Sequence, residues 1–463
     1  MAGKPDPKKP EPQKGAVAKK GVEGEEAPEI EQVLFQGPLF GREANLKAHA
    51  KLVQAALVAV KQMVSDAMER RAHTITLEPK EGRFLLRYVI DGIPHQAGVL
   101  PGPKGMALVQ MIKVLAGLDP ADRSAAHFGG ISAEREKLMF NLILDTTPVG
   151  SAERVRIKVE NRKVLRQRPQ DVGFPDDLKK KIRNFTSERS GVVLVCGPAD
   201  SGATTLSIVA LHCVDPYLYQ VYNFAELKGR ELINVTDFRP EPGHDLEITF
   251  DRILRREADV LFMDPLISPQ DAQVIFQYAD RLSFIMEIPA NTPFEALQKV
   301  LQWVGADLVL KNLRGILTQK LIRKLCDDCK QAYRPNPALV KKLGLPAETT
   351  VLYRAPQPPP PDDPKAPTIA ELCAPCAGVP YHGRAAIFEM LEITDGMKEV
   401  VATNLTADAV RRQMATDGQT TLQKDAIRLV AQGKTSLEEV QRVFSPPGAA
   451  KKKPAPRPPG PPR

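Results

Sequence analysis

The chain has 463 residues, 43% of them hydrophobic, which suits two or three globular domains better than one core. The formal charge of +8 sits largely in two Lys/Arg- and Pro-rich ends, a pattern of solvated tails, and no nucleic-acid partner is expected. No apolar run approaches the ~18–20 residues of a membrane span and no signal-peptide pattern opens the chain, so a soluble cytoplasmic protein is the expectation.

Residues 1–42 read as a disordered tail, rich in Lys at first and then in Glu from Glu23 to Glu31. Within it, Val33-Leu-Phe-Gln-Gly-Pro38 looks like a picornaviral protease recognition sequence and receives no functional weight. Between Ala44 and Arg71 the apolar residues Leu46, Ala50, Val53, Leu57, Val60, Val64 and Met68 recur at three-and-four spacing, which predicts an amphipathic helix. Strand-like runs follow at Thr74–Leu77 and Arg83–Ile90, the latter ended by the Asp91-Gly92 turn signal. A helical run, Met106–Leu115, and two more strand-like runs, Leu138–Leu144 and Arg154–Val159, complete a small α+β domain over 43–168.

The chain is organised around Gly191–Leu206. An apolar strand, Val192 to Cys196, meets a Gly-containing turn and then a helix-compatible stretch, the setting of a phosphate-binding loop, G-x-x-x-x-G-K-[ST]. Gly197, Gly202 and Thr204 stand in register, but Ala203 occupies the lysine position and Asp200 sets a carboxylate beside the anion nest. The candidate nucleotide-binding residues are Gly197, Ser201, Gly202, Thr204 and Thr205. Asp264 joins them, ending the apolar run Val260–Met263 as a metal-binding acid would. The P-loop domain is expected over 169–325.

Cys326-Asp-Asp-Cys329 and Cys373-Ala-Pro-Cys376 form two C-x-x-C knuckles. Two such pairs in a reducing compartment point to one structural Zn²⁺ held by four thiolates, and not to disulfides. A tetracysteine zinc subdomain is therefore expected over 326–380, with a Pro-rich, polyproline-like excursion through Pro358–Pro361. Cys196 and Cys213 read as small core hydrophobes. A helical C-terminal subdomain over 381–445 and a basic Pro-rich tail over 446–463 close the chain.

Three stretches carry a resemblance: Ala72-His-Thr-Ile-Thr-Leu-Glu-Pro79, Phe84-Leu-Leu-Arg-Tyr-Val-Ile-Asp-Gly92 and Gly117-Leu-Asp-Pro-Ala-Asp-Arg123. They resemble the domain that precedes the motor in type II secretion and type IV pilus assembly ATPases. The likeness resumes in Arg314–Cys326, His382–Leu391 and Gly433–Val440, and spans about 44–444 in family order. It implies an α/β protein with a RecA-like P-loop domain and hexameric assembly. It also implies ATP and Mg²⁺ chemistry, partners among homologous ATPase subunits and inner-membrane assembly proteins, and a cytoplasmic site or one peripheral at the inner membrane. Many members carry the same tetracysteine arrangement. A large N-terminal domain found in many members has no counterpart here.

Against that pattern each chemical box is altered. The loop lysine is Ala203; the acidic E-D-P-x-E box reads Tyr222-Asn-Phe-Ala-Glu226; Pro265 stands at the Walker B glutamate; and Asp280–Ile288 holds no histidine. The family also supplies two arginines from the preceding domain, of which Arg87 keeps one while Asn141 stands at the other. The altered boxes weigh against ATP and Mg²⁺ use, because phosphoryl transfer relies on those charges. The leading expectation is a catalytically inactive paralogue, with no catalytic residue, acting as a structural or regulatory subunit. The alternative is a nucleotide-binding or slow ATPase using Gly197–Thr205 and Asp264. A third reading, an adaptor for acidic partners or lipid, rests on the basic tails alone. The kept stretches Leu313–Leu325 and His382–Leu391 are expected to form subunit-packing or hinge contacts.

Overall fold

The computed structural model describes residues 32–164, 166–227, 232–241, 243–345, 348–357, 373–376 and 379–445. The excursion expected through Pro358–Pro361, the tail 446–463 and most of the N-terminal tail lie outside the described residues.

The first sheet is built from β1 (Leu34–Pro38), β2 (Thr74–Lys80), β3 (Arg83–Ile90), β4 (Ile93–Pro101), β5 (Phe128–Arg135), β6 (Leu138–Val149) and β7 (Ala152–Asn161). Their spatial order is β1-β5-β6-β7-β2-β3-β4, with every pair antiparallel. Side chains alternate across a strand, and β3 is a clear case: Phe84, Leu86, Tyr88 and Ile90 are buried while their neighbours are not. Two helices, Ala50–Glu69 and Gly102–Leu115, cover the apolar face and pack Val60, Val64 and Ile112 against Ile75, Leu77, Leu144 and Val155. In β7 the inward residues are Glu153, Val155 and Ile157; Glu153 and the helix residue Lys113 make a fully buried ion pair of 3.0 Å. Arg154, Arg156 and Lys158 are thereby turned to the opposite face.

Two expectations shift here. The amphipathic helix begins at Ala50, leaving Leu46 in the preceding turn. Part of the stretch expected to be tail is ordered: β1 pairs with β5, Val33 is buried, and its N–H donates to Ser65 Oγ at 2.8 Å. Its apolar run covers an edge that β5 would otherwise leave open.

The second sheet comprises β8 (Gly191–Cys196), β9 (Val221–Asn223), β10 (Thr236–Asp237), β11 (Val260–Phe262), β12 (Ser283–Glu287) and β13 (Leu313–Leu325). A separate ribbon, β14 (Gln331–Tyr333) with β15 (Leu352–Arg354), precedes the last strand, β16 (Tyr381–Glu392). The order is β10-β9-β11-β12-β8-β13-β16, parallel throughout except for β16 against β13. Every residue of β8 is buried, and its period of two sorts Val192, Leu194 and Cys196 into one core and Val193 and Val195 into the other. That burial pushes the Cys196 thiol up to about 12, as it does the Cys213 thiol, in keeping with the core role read for both.

The region expected to be helical from 381 opens instead with β16, whose Ile387 and Phe388 enter different cores on the two sides of the sheet. The stretches expected as hinge or subunit contacts, Leu313–Leu325 and His382–Leu391, are therefore paired with each other, and Ile316, Leu317, Ile322 and Phe388 are fully buried. Helices Asp395–Thr403, Ala407–Thr416, Leu422–Ala431 and Leu437–Phe444 follow. No helix among the described residues is long and apolar enough to cross a membrane.

The last helix is fastened by Glu439, a fully buried carboxylate. It accepts from Arg323 Nη2 at 2.7 Å and from Arg442 Nη2 at 2.6 Å. Burial alone would raise this carboxyl's pKa, but the hydrogen bonds from Arg442 and Arg323 outweigh it and hold it below the ordinary glutamate value. A depressed folded pKa contributes stability that is complete above the unfolded value, about 4.3, and is lost as pH falls through the folded one. Glu439→Gln should cost about 3 kcal/mol in urea unfolding at pH 7, since two guanidinium groups lose their counter-charge. The difference between variant and native chain should shrink as pH falls below about 4.

Candidate functional site

The loop Gly197–Gly202 lies at the C-terminal end of β8, where ligands of open parallel sheets bind. Helix Ala203–Leu211 starts directly after it, and no side chain caps its N-terminus. Two residues of the loop are left-handed, Asp200 at φ 62° and Gly202 at φ 88°. An aspartate tolerates that region better than most side chains. At Gly202 a Cβ would also run into the Gln319 side-chain amide.

Gln319, a nearly buried residue in the middle of β13, is what holds the loop. Its Nε2 donates to Ser201 O at 2.8 Å and to Gly202 O at 2.7 Å. Ser201 is buried, its Oγ folded against Gly197, and Thr204 and Thr205 begin the helix with Thr204 exposed. The hydroxyls of Thr204 and Ser207 donate to the two oxygens of Glu287, at 3.3 and 3.2 Å. Glu287 ends β12, the strand beside β8, so a carboxylate of the chain itself stands at the threonine that would meet a metal.

Asp264 follows β11, with β12 between it and the loop strand. It is exposed, and its Oδ1 accepts the Glu226 N–H at 2.9 Å. The altered acidic box thus forms a turn: Asn223 Oδ1 takes the Ala225 N–H at 2.9 Å while its Nδ2 donates to Asp237 at 2.6 Å.

A cleft of about 790 Å³ separates the loop from the outer face of the first sheet, lined among others by Thr76, Arg87, Arg156, Asp200, Ser201 and Arg384. Arg87 faces it and pairs with Glu78 at 2.9 Å. Asn141 is not part of its lining. The cations that meet the loop are ones the sequence did not single out: Arg156 makes an ion pair with Asp200, and Lys158 Nζ lies 3.9 Å from the same carboxylate. Their signal was the alternation Arg154-Val-Arg-Ile-Lys158, which puts three cations on one strand face. His73 also lines the cleft, and burial, followed by the charge of Arg384, lowers its pKa to about 4, so it is neutral at pH 7.

At the far end of β13 the four knuckle cysteines come together. Their sulfurs all lie within 4.8 Å of one another, with Cys326–Cys373 at 3.7 Å and Cys329–Cys376 at 3.8 Å. Cys326, Cys373 and Cys376 are buried.

The architecture is thus a parallel sheet carrying a phosphate-loop-shaped turn, faced across a cleft by a mixed α+β unit. The solved ATPase DotB of Legionella pneumophila has this fold, at a TM-score of 0.51 and 13% identity over 84% of this chain and 95% of its own. Residues 50–442 match the family model described as type II/IV secretion system protein, and the chain belongs to that family. It is 25% identical to the type IV pilus assembly ATPase PilB of Thermus thermophilus, over 83% of this chain and 42% of that one. It is likewise 25% identical to the type II secretion system protein E of Pseudomonas aeruginosa, over 83% of this chain and 74% of that one.

If Gln319 holds the loop, Gln319→Leu should leave the two carbonyls without their buried donor and weaken the loop locally by about 1–3 kcal/mol. Amide exchange across Ser201–Thr205 should quicken while the strand amides of β8 stay protected. Unchanged exchange in the loop would mean that the amide is a bystander.

Proposed function

We propose that this protein is a catalytically silent member of its family, a structural or regulatory subunit that packs with homologous ATPase subunits. One observation carries the reading. The only charged residue between Gly197 and Thr205 is an acid, Asp200, and its partners are two cations of the facing sheet, Arg156 and Lys158. A loop that serves phosphate needs a cation where Ala203 stands, and losing one such contact typically costs about 10²–10³ in rate. Pro265 and the absence of histidine from Asp280–Ile288 weigh the same way. The parallel run β9-β11-β12-β8-β13 supports a RecA-like reading of this half, and with it a place in or against a hexamer of related subunits. The names of the relatives support a pilus or type II secretion machine, with inner-membrane assembly proteins as further partners and the cytoplasm, or the cytoplasmic face of the inner membrane, as its site.

A second reading keeps Mg²⁺ and nucleotide on Gly197, Ser201, Gly202, Thr204, Thr205 and Asp264. The exposed carboxylate of Asp264 at the end of β11 is what favours it. Phosphate release by the purified chain decides between the two. No turnover above background is expected, and Ala203→Lys alone should not create it. Release that disappears in Asp264→Ala would establish the second reading instead.

We also infer that Cys326, Cys329, Cys373 and Cys376 hold one structural Zn²⁺. Zn–S bonds of about 2.3 Å at tetrahedral angles set neighbouring sulfurs about 3.8 Å apart. The two sulfur separations above, 3.7 and 3.8 Å, support that fit. Because the ligands come from distant segments, metal binding becomes local folding energy. Elemental analysis should find one zinc per chain, lost in Cys373→Ser. In that variant β14 and β15 should exchange amides faster while β8 stays protected. A metal-free native chain with four readily alkylated thiols would sink the assignment.

A further inference from the structure

The register of β7 leaves its cations no choice of side. Val155 and Ile157 are in the core and Glu153 is locked to Lys113, so a slip of one residue would bury Arg156 and Lys158 in an apolar interior. On the outer face Arg156 stands in a cross-strand row with Asp145 of β6, Thr76 of β2 and, beyond it, Arg87 of β3. Asp145 is the acid nearest Arg156 along that row. Arg87 has Glu78 as its partner. Arg156 nonetheless reaches across to the second half of the molecule and pairs with Asp200.

Asp200 is equally constrained. It sits in a left-handed turn beside the two carbonyls that Gln319 holds, so its carboxylate is presented towards the cleft by an anchored loop. Arg384 of β16 lines the same cleft and feels the negative charge of Asp200. Both members of the Arg156–Asp200 pair remain partly open to solvent, at 38% and 51%, which makes the contact reversible and sensitive to salt.

We propose that Asp200 is an internal anion: it fills the seat between Arg156 and Lys158 that an anionic ligand's charged group would otherwise take, and so keeps the cleft self-inhibited. The proposal builds on the reading of a silent loop, but its test measures binding and not turnover, so either can fail alone. A carboxylate held in place by the fold competes at high effective concentration, and it excludes anions that bind weakly.

The probe is inorganic pyrophosphate, titrated calorimetrically into the full chain. Asp200→Asn keeps the shape of the side chain, and asparagine suits a left-handed position at least as well, so the variant should fold. At about 0.05 M salt, pyrophosphate should bind Asp200→Asn about tenfold tighter than the native chain. The gain should vanish when Arg156→Ala is added and shrink at about 0.5 M salt. Equal affinity for native and Asp200→Asn chains overturns the proposal. So does a gain that survives Arg156→Ala, because the anion would then be seated elsewhere.

Discussion

The period of two along a buried strand is the constraint on which this molecule most depends. In β8 it is expressed as two cores, one on each face of the sheet, so the strand cannot shift without emptying both. That fixity delivers the loop Gly197–Gly202 to one point at the C-terminal end of the sheet's interior. In β7 the same period splits the strand into an apolar and a basic side, and the basic side faces the loop across the cleft. The site is therefore assembled from two strand-borne surfaces, and the charge carried on them sets what it can hold.

Charge on the loop is balanced from within the chain. A loop with a lysine at position 203 facing Arg156, Lys158 and Arg384 would concentrate like charges and await an anion. Here the sign of the loop is reversed by Asp200, and the cleft neutralises part of itself. Thr204 and Ser207 follow the same logic on the other side, with their hydroxyls satisfied by Glu287. The loop's own carbonyls are also engaged, those of Ser201 and Gly202 by Gln319.

Much of this was legible in the sequence, where the cause was local. The strand–loop–helix around Gly197 follows from an apolar run, two glycines and a helix-compatible stretch. The cysteine knuckles follow from spacing alone. The partner of Asp200 was not legible, because Arg156 lies 44 residues away and only the pairing of two sheets brings them together. Gln319 gave no sign either: it is one of several polar residues in β13, and nothing in the sequence marks it as the buried one that meets the loop. Strand β16 was missed because a run buried on both faces has neither the period of a helix nor that of a half-exposed strand. β1 was missed because its ladder partner, β5, is remote in sequence.

One strand links features that have so far been treated apart. β13 pairs with β8 near its start, holds the loop through Gln319 at its middle, and ends against Cys326. Six residues lie between the last two, so about seven steps of extended chain, roughly 23 Å at ~3.3 Å per residue, part them. A paired strand is nearly inextensible, so it works as a ruler: the cysteine cluster sets where one end of the rod stands, and the loop is mounted at a fixed distance along it. The register shift between Arg323 and Leu325 is where that rod would bend first.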